Sequence, residues 1–249
     1  MKDCSTSQAL ALRQLLANSA ARVVAITAGS KGMGRTAAVV NLAMALTGQG
    51  MNVLVLDECP DDRSASAALG AARGAGAFAT GVHRRWPRVL AVDALPLSFN
   101  LMPERGPDIV LVDAALDDKG GLSPLALQAD RVVVVMRMSA DAVASTYACM
   151  KRLRVIHGIM EFHVIANLID GGADAHAVLE SLENIARDYL AVSVHLAGCI
   201  ASDPCVGRAA ELSRYVVDAF PSSSAASDFA RVAARIHSWP RHPVRGACL

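Results

Sequence analysis

Aromatic residues make up only 4% of this 249-residue chain, although hydrophobic residues reach 53%. A core so poor in rings must be built mainly from Ala, Val, Leu and Ile, the composition of helices packed on buried strands. Disorder over most of the chain is thereby excluded. An excess of one charge is also missing: 24 Lys and Arg face 23 Asp and Glu, for a net +1. That balance argues against whole-surface capture of nucleic acid or of an anionic membrane, so no direct nucleic-acid contact is expected. No segment offers the roughly 20 uncharged apolar residues of a membrane span. The N-terminus, MKDCSTSQALALRQLL, is polar where a signal peptide has its apolar run. A cytoplasmic location is expected. The six cysteines, at positions 4, 59, 149, 199, 205 and 248, form no CxxC pair and have no histidine at ligand spacing. They read as reduced thiols, which counts against a cluster-bearing reductase. The seven histidines are equally dispersed and read as surface or structural residues.

What is present is an alternation. Short apolar runs at 22–28, 52–57, 108–114, 131–137, 162–168 and 192–200 read as strands. Helical spacing at 36–50, 140–157, 174–190 and 225–239 separates or follows them. Continuous apolar strands between helices predict an α/β fold, with a mostly parallel sheet covered on both faces. Between Asp57 and Asp108 the pattern weakens to room for one helix and one or two poor strands. Residues 7–17, SQALALRQLLA, predict a short extra N-terminal helix with Ser7 as a cap. The expected organisation is therefore an N-terminal helix segment at 1–20, one domain at 21–239 and a tail at 240–249.

The chemistry concentrates between the first strand and its helix, in GSKGMGRT (29–36). Glycines at 29, 32 and 34 would let backbone N–H groups close around phosphate oxygens, and the helix dipole would add to the attraction. Thr36 is then placed to ligate Mg²⁺. The spacing fits GxxxxG[K/R]T, with Arg35 where a phosphate-gripping lysine is usual.

Lys31, early in the loop, makes this stretch similar to the deviant P-loop KGGxGK[ST] of the MinD/ParA family of ATPases. The resemblance extends over most of the chain. AAVVNLAMALTGQGMNVLVLD looks like the family's helix and second strand, and PDIVLVDAAL like its Walker B strand. The segment from Gly198 to Ile236 follows the family's IPxDxxVxxA and PxSxAAxxFxxLAxxI patterns, with Ala201 replacing a proline. The resemblance implies a P-loop NTPase of MinD/ParA type, with ATP and Mg²⁺ as cofactors. Gly29, Ser30, Lys31, Gly32, Met33, Gly34, Arg35 and Thr36 would hold phosphates. Lys31 would reach the nucleotide of a facing subunit in a nucleotide-dependent homodimer, and Asp57 would serve catalysis. Thr36 and Asp113 would form the metal side, and Asn167, in VIANLID, would read the adenine. Within the family, SQALALR resembles the DQAxxLR helix of the flagellar-number regulators. That likeness implies a signal-recognition-type GTPase as partner, contacted by Gln8, Ala9, Leu12 and Arg13, and a flagellar transcription activator as a further partner.

Two departures bear on catalysis. The family's DxD after the second strand is matched by LDECPDD, which puts Cys59 at the second carboxylate. Asp61 or Asp62 could replace it only by a loop shift that Pro60 opposes. Arg35 keeps a positive charge but is longer, planar and forked. ATP hydrolysis is expected to be slow or absent while nucleotide binding persists. The stretch between Asp57 and Asp113 is also short for the family, which weakens the case for the dimer. Basic residues and Trp239 near the C-terminus leave room for peripheral membrane contact, interrupted by Pro240 and Pro243. A competing reading from another class keeps the fold and the N-terminal helix for protein binding alone, as a nucleotide-independent adaptor.

Overall fold

The apolar runs become strands whose alternate side chains feed two separate cores. The computed structural model describes residues 21–58, 64–71, 86–92, 106–170 and 175–240. Seven strands, β1 (Arg22–Ala28), β2 (Val53–Asp57), β3 (Arg88–Ala91), β4 (Ile109–Asp113), β5 (Arg131–Arg137), β6 (Glu161–Ile169) and β7 (Ser193–Ala201), form one sheet. Its order is β3-β2-β4-β1-β5-β6-β7, and every pairing is parallel. The helices are α1 (Arg35–Gly48), α2 (Ala65–Ala71), α3 (Ala140–His157), α4 (Ala175–Leu190), α5 (Pro204–Glu211), α6 (Val216–Ala219) and α7 (Ser224–Ser238).

Val23, Ala25, Val110 and Val112 point to one face and share its core with Met150 and Leu153 of α3 and Leu179 and Leu182 of α4. Val24, Ile26, Ile109 and Leu111 point to the other, beneath Leu42 of α1 and Phe229 and Val232 of α7. Burial on both faces is why these strands carry no polar alternation. The stretch that the sequence pattern resolved poorly contributes α2 and the four-residue edge strand β3. Helices α5 and α6 are too short to show as periodic segments.

Because all strands run the same way, Ala28, Asp57, Asp113, Arg137, Asn167 and Ala201 lie at one edge of the sheet. Central β1 pairs with β4 on one side and β5 on the other, a switch point of the kind at which α/β sheets hold ligands. The opposite edge carries a different cluster. There Trp239 stacks on His163 at 4.3 Å, and His195 lies 5.4 Å from the same ring. No helix among the described residues is long and apolar enough to cross a membrane.

Candidate functional site

The loop after β1 is shaped by glycines that no other residue could replace without strain. Gly32 and Gly34 have φ of 81° and 84°, in the left-handed region where a Cβ is penalised. A Cβ on Gly29 would lie 2.4 Å from the Ser145 carbonyl oxygen, so the loop runs directly against α3. Gly34 also serves as the N-cap of α1 and supplies no capping side chain; the first turn of α1 has no acidic residue. Other helices are closed by their own side chains: Ser139 caps α3, Asp203 α5 and Ser223 α7. The first-turn N–H groups of α1 and its dipole are thus left for an external anion.

Asp113, at the end of β4 and 1% exposed, is where the charges meet. Thr36 Oγ1 donates to its Oδ2 at 2.9 Å. Arg35 Nε lies 2.5 Å from its Oδ1, close enough for a strong ion pair although not aligned as a hydrogen bond. Arg35 also donates from a terminal nitrogen to the Ala114 carbonyl at 3.1 Å. Burial pushes the Asp113 carboxyl above the usual carboxylate range, against the pull of Arg35 and Thr36.

Asp57 is fully buried beside Asp113 in the register of β2 and β4, and its Oδ2 accepts the Ser66 N–H at 2.7 Å. Ser30 and Ser145 hydroxyls are 3.3 Å apart, and Lys31 is exposed at the loop tip. Asn167, 5% exposed, donates from Nδ2 to the Met33 carbonyl at 2.9 Å. The strand end nominated for adenine recognition therefore touches the loop directly.

A further carboxylate belongs to the site. Glu58 accepts from the Ala115 N–H at 3.1 Å and from the Ser123 hydroxyl. It ties the residue after β2 to the segment after β4. Burial raises its pKa, opposed by those two hydrogen bonds and by nearby Arg35.

No family model matches the chain. The antiactivator FleN of Pseudomonas aeruginosa is 26% identical over 245 residues, covering 88% of this chain and 87% of FleN. A chain of the MinC:MinD cell division protein complex of Aquifex aeolicus superposes with a TM-score of 0.64 at 20% identity, over 91% of this chain and 99% of that one. The septum site-determining protein MinD of Pyrococcus horikoshii, solved with Mg-ADP, superposes at 0.59 with 17% identity, over 88% and 96%. The chain has the fold of the MinD-type proteins and is similar in sequence to FleN.

The structure brings together Gly29 to Thr36, Asp57, Asp113 and Asn167, all at one edge of one sheet. Gln8, Ala9, Leu12, Arg13, Cys59, Asp61 and Asp62 lie outside the described residues, as does the tail from 241. Glu58 is a site residue that the motif spacing does not single out, although its place beside Asp57 at a strand end is a signal. Thr36 and Asp113 offer the oxygen donors Mg²⁺ prefers, so the donor set fits; the guanidinium resting on Asp113 competes for the same carboxylate. Among the described residues no cluster of three His, Cys, Asp or Glu forms a separate metal site.

Proposed function

We propose that this chain is an adenine-nucleotide-binding regulator of flagellar number or placement, which switches a signal-recognition-type GTPase partner and hydrolyses ATP slowly or not at all. The observation that carries the nucleotide half is α1, a helix of 14 residues entered through a left-handed glycine, without side-chain cap or acidic first turn, beside Thr36 and Asp113. Such a terminus suits the phosphates of a nucleotide. The flagellar half draws on the likeness to FleN and on SQALALR at residues 7–13. FleN's description as an antiactivator supports a transcription activator as a further partner.

In this reading Gly29, Ser30, Gly32, Met33, Gly34 and Thr36 line the phosphates and Asn167 approaches the base. Exposed Lys31 reaches a second copy across a nucleotide-dependent homodimer. Thr36 and Asp113 would hold Mg²⁺, which when bound neutralises phosphate charge. Asp57, which accepts the Ser66 N–H, ties the end of β2 to α2. Arg35 on Asp113 and Cys59 at the expected carboxylate position support impaired turnover, since loss of one positioned group in such a site costs on the order of 10² to 10³ in rate. The protein then works in the cytoplasm, with peripheral membrane contact as an addition to be tested.

Calorimetric titration of Mg·ATP, together with a turnover assay, checks this. Binding in the micromolar range with no measurable turnover is expected. Absent binding, with GTPase stimulation intact and lost on Gln8→Ala, would leave the nucleotide-independent adaptor; rapid turnover would contradict the impaired site.

A further inference from the structure

The two oxygens of Asp113 are divided between a neutral donor and a fixed cation. Thr36 takes Oδ2 through a 2.9 Å hydrogen bond, and the Arg35 guanidinium lies 2.5 Å from Oδ1. The arginine is held from a second side as well, through its bond to the Ala114 carbonyl at 3.1 Å. A guanidinium suits this position in a way an ammonium does not. It is planar, presents several donors in a rigid fork and stays charged at every accessible pH. A lysine at the same place would offer a compact, rotatable charge, free to leave the carboxylate for a phosphate.

The other acidic side chains nearby are committed elsewhere. Asp57 Oδ2 receives the Ser66 N–H, and Glu58 receives the Ala115 N–H and the Ser123 hydroxyl. Asp113 is therefore the carboxylate a divalent cation would share with Thr36, and its free face already meets a positive charge. A second cation brought to Asp113 meets repulsion from Arg35 and must displace it from two acceptors. The same guanidinium borders the loop, where a phosphate would feel its charge.

We propose that Arg35 stands in for the divalent cation, so that this loop takes the diphosphate of an adenine nucleotide with little dependence on Mg²⁺. This rests on the nucleotide-binding reading above and concerns what accompanies the nucleotide. It deepens that reading by making the charge that neutralises the phosphates part of the chain.

The test is calorimetric titration of ADP, which removes turnover from the measurement, into the full chain in millimolar MgCl₂ and in excess EDTA. The dissociation constants of the unmodified chain are expected to agree within about threefold, whereas Arg35→Lys prefers the magnesium buffer by about tenfold or more. Loss of tenfold or more by the unmodified chain in EDTA overturns the proposal, as does an Arg35→Lys variant equally indifferent to the metal. Should Arg35→Lys fail to melt cooperatively, Arg35→Gln replaces it. That variant carries no charge at the position and is expected to prefer the magnesium buffer by about tenfold or more; equal binding in both buffers overturns the proposal. Absence of ADP binding by all proteins in both buffers sinks the nucleotide reading and the stand-in cation with it, an outcome distinct from strictly magnesium-dependent binding.

Discussion

Gly34 answers to two constraints at once. Its φ of 84° lies in the left-handed region, and a Cβ there would come within 2.2 Å of Asn167 Nδ2. Gly34→Ala is expected to destabilise the fold by about 1–2 kcal/mol through backbone strain and to weaken ADP binding by pushing Asn167 off the Met33 carbonyl. Urea unfolding and nucleotide titration measure the two effects. Gly48 serves as the comparison, since a Cβ there meets nothing within 4 Å. Gly48→Ala should be neutral or stabilising by up to about 1 kcal/mol, and equal losses for both variants would remove the argument. Residues of this kind were legible in the sequence because their spacing is local: eight consecutive positions state the loop. Glu58 was not, because its partners Ala115 and Ser123 stand 57 and 65 positions away. The pairing of Arg35 with Asp113 was hidden for the same reason. Sequence spacing identifies both as charged site residues and leaves open that they meet.

At the level of elements, Asp203 joins two helices with one carboxylate. Its oxygens accept the Cys205 N–H at the start of α5, and the Ala225 N–H and Ser224 hydroxyl at the start of α7. The Ala225 N–H first, then that of Cys205, hold its carboxyl well below the usual carboxylate range. Asp203→Ala is expected to cost about 1–2 kcal/mol, the range for losing a helix cap. The depressed pKa fixes the sign of the pH effect. Asp203's contribution is complete above the unfolded carboxylate value and fades as pH falls through the folded one. Unfolding curves should therefore show the largest deficit at neutral pH and a smaller one in strong acid; a deficit that grows with acidity would contradict the cap. The long strands were readable because both of their faces are buried, which leaves an unbroken apolar run. Edge strand β3, with Arg88 and only four residues, carries no such run, and the brief α5 and α6 offer too few turns for a helical period to emerge.

On the scale of the whole molecule, acid sensitivity should originate at the edge of the sheet far from the loop. His163 is buried against Trp239, with Arg131, Glu161 and His195 around it. Burial, reinforced by Arg131, pushes its pKa down to about 4. The unfolded chain therefore binds a proton that the folded chain refuses. Stability is complete above the unfolded histidine value of about 6.5 and declines as pH falls from there toward 4. His163→Gln should flatten that decline in a series of thermal melts; an unchanged slope would place the sensitivity elsewhere.

The strand order also has a consequence in time. β1 precedes both of its partners, β4 and β5, in the chain, with Val24 set against Leu111 and Arg131. The strand at the centre of the sheet must remain unpaired until on the order of 100 further residues have been made, roughly 5–20 s at ordinary translation speed. Throughout that interval VVAI is an exposed apolar segment without a sheet. The nascent chain is thus a customer for chaperones before its sheet can close, and its yield should depend on translation rate more than its finished stability does.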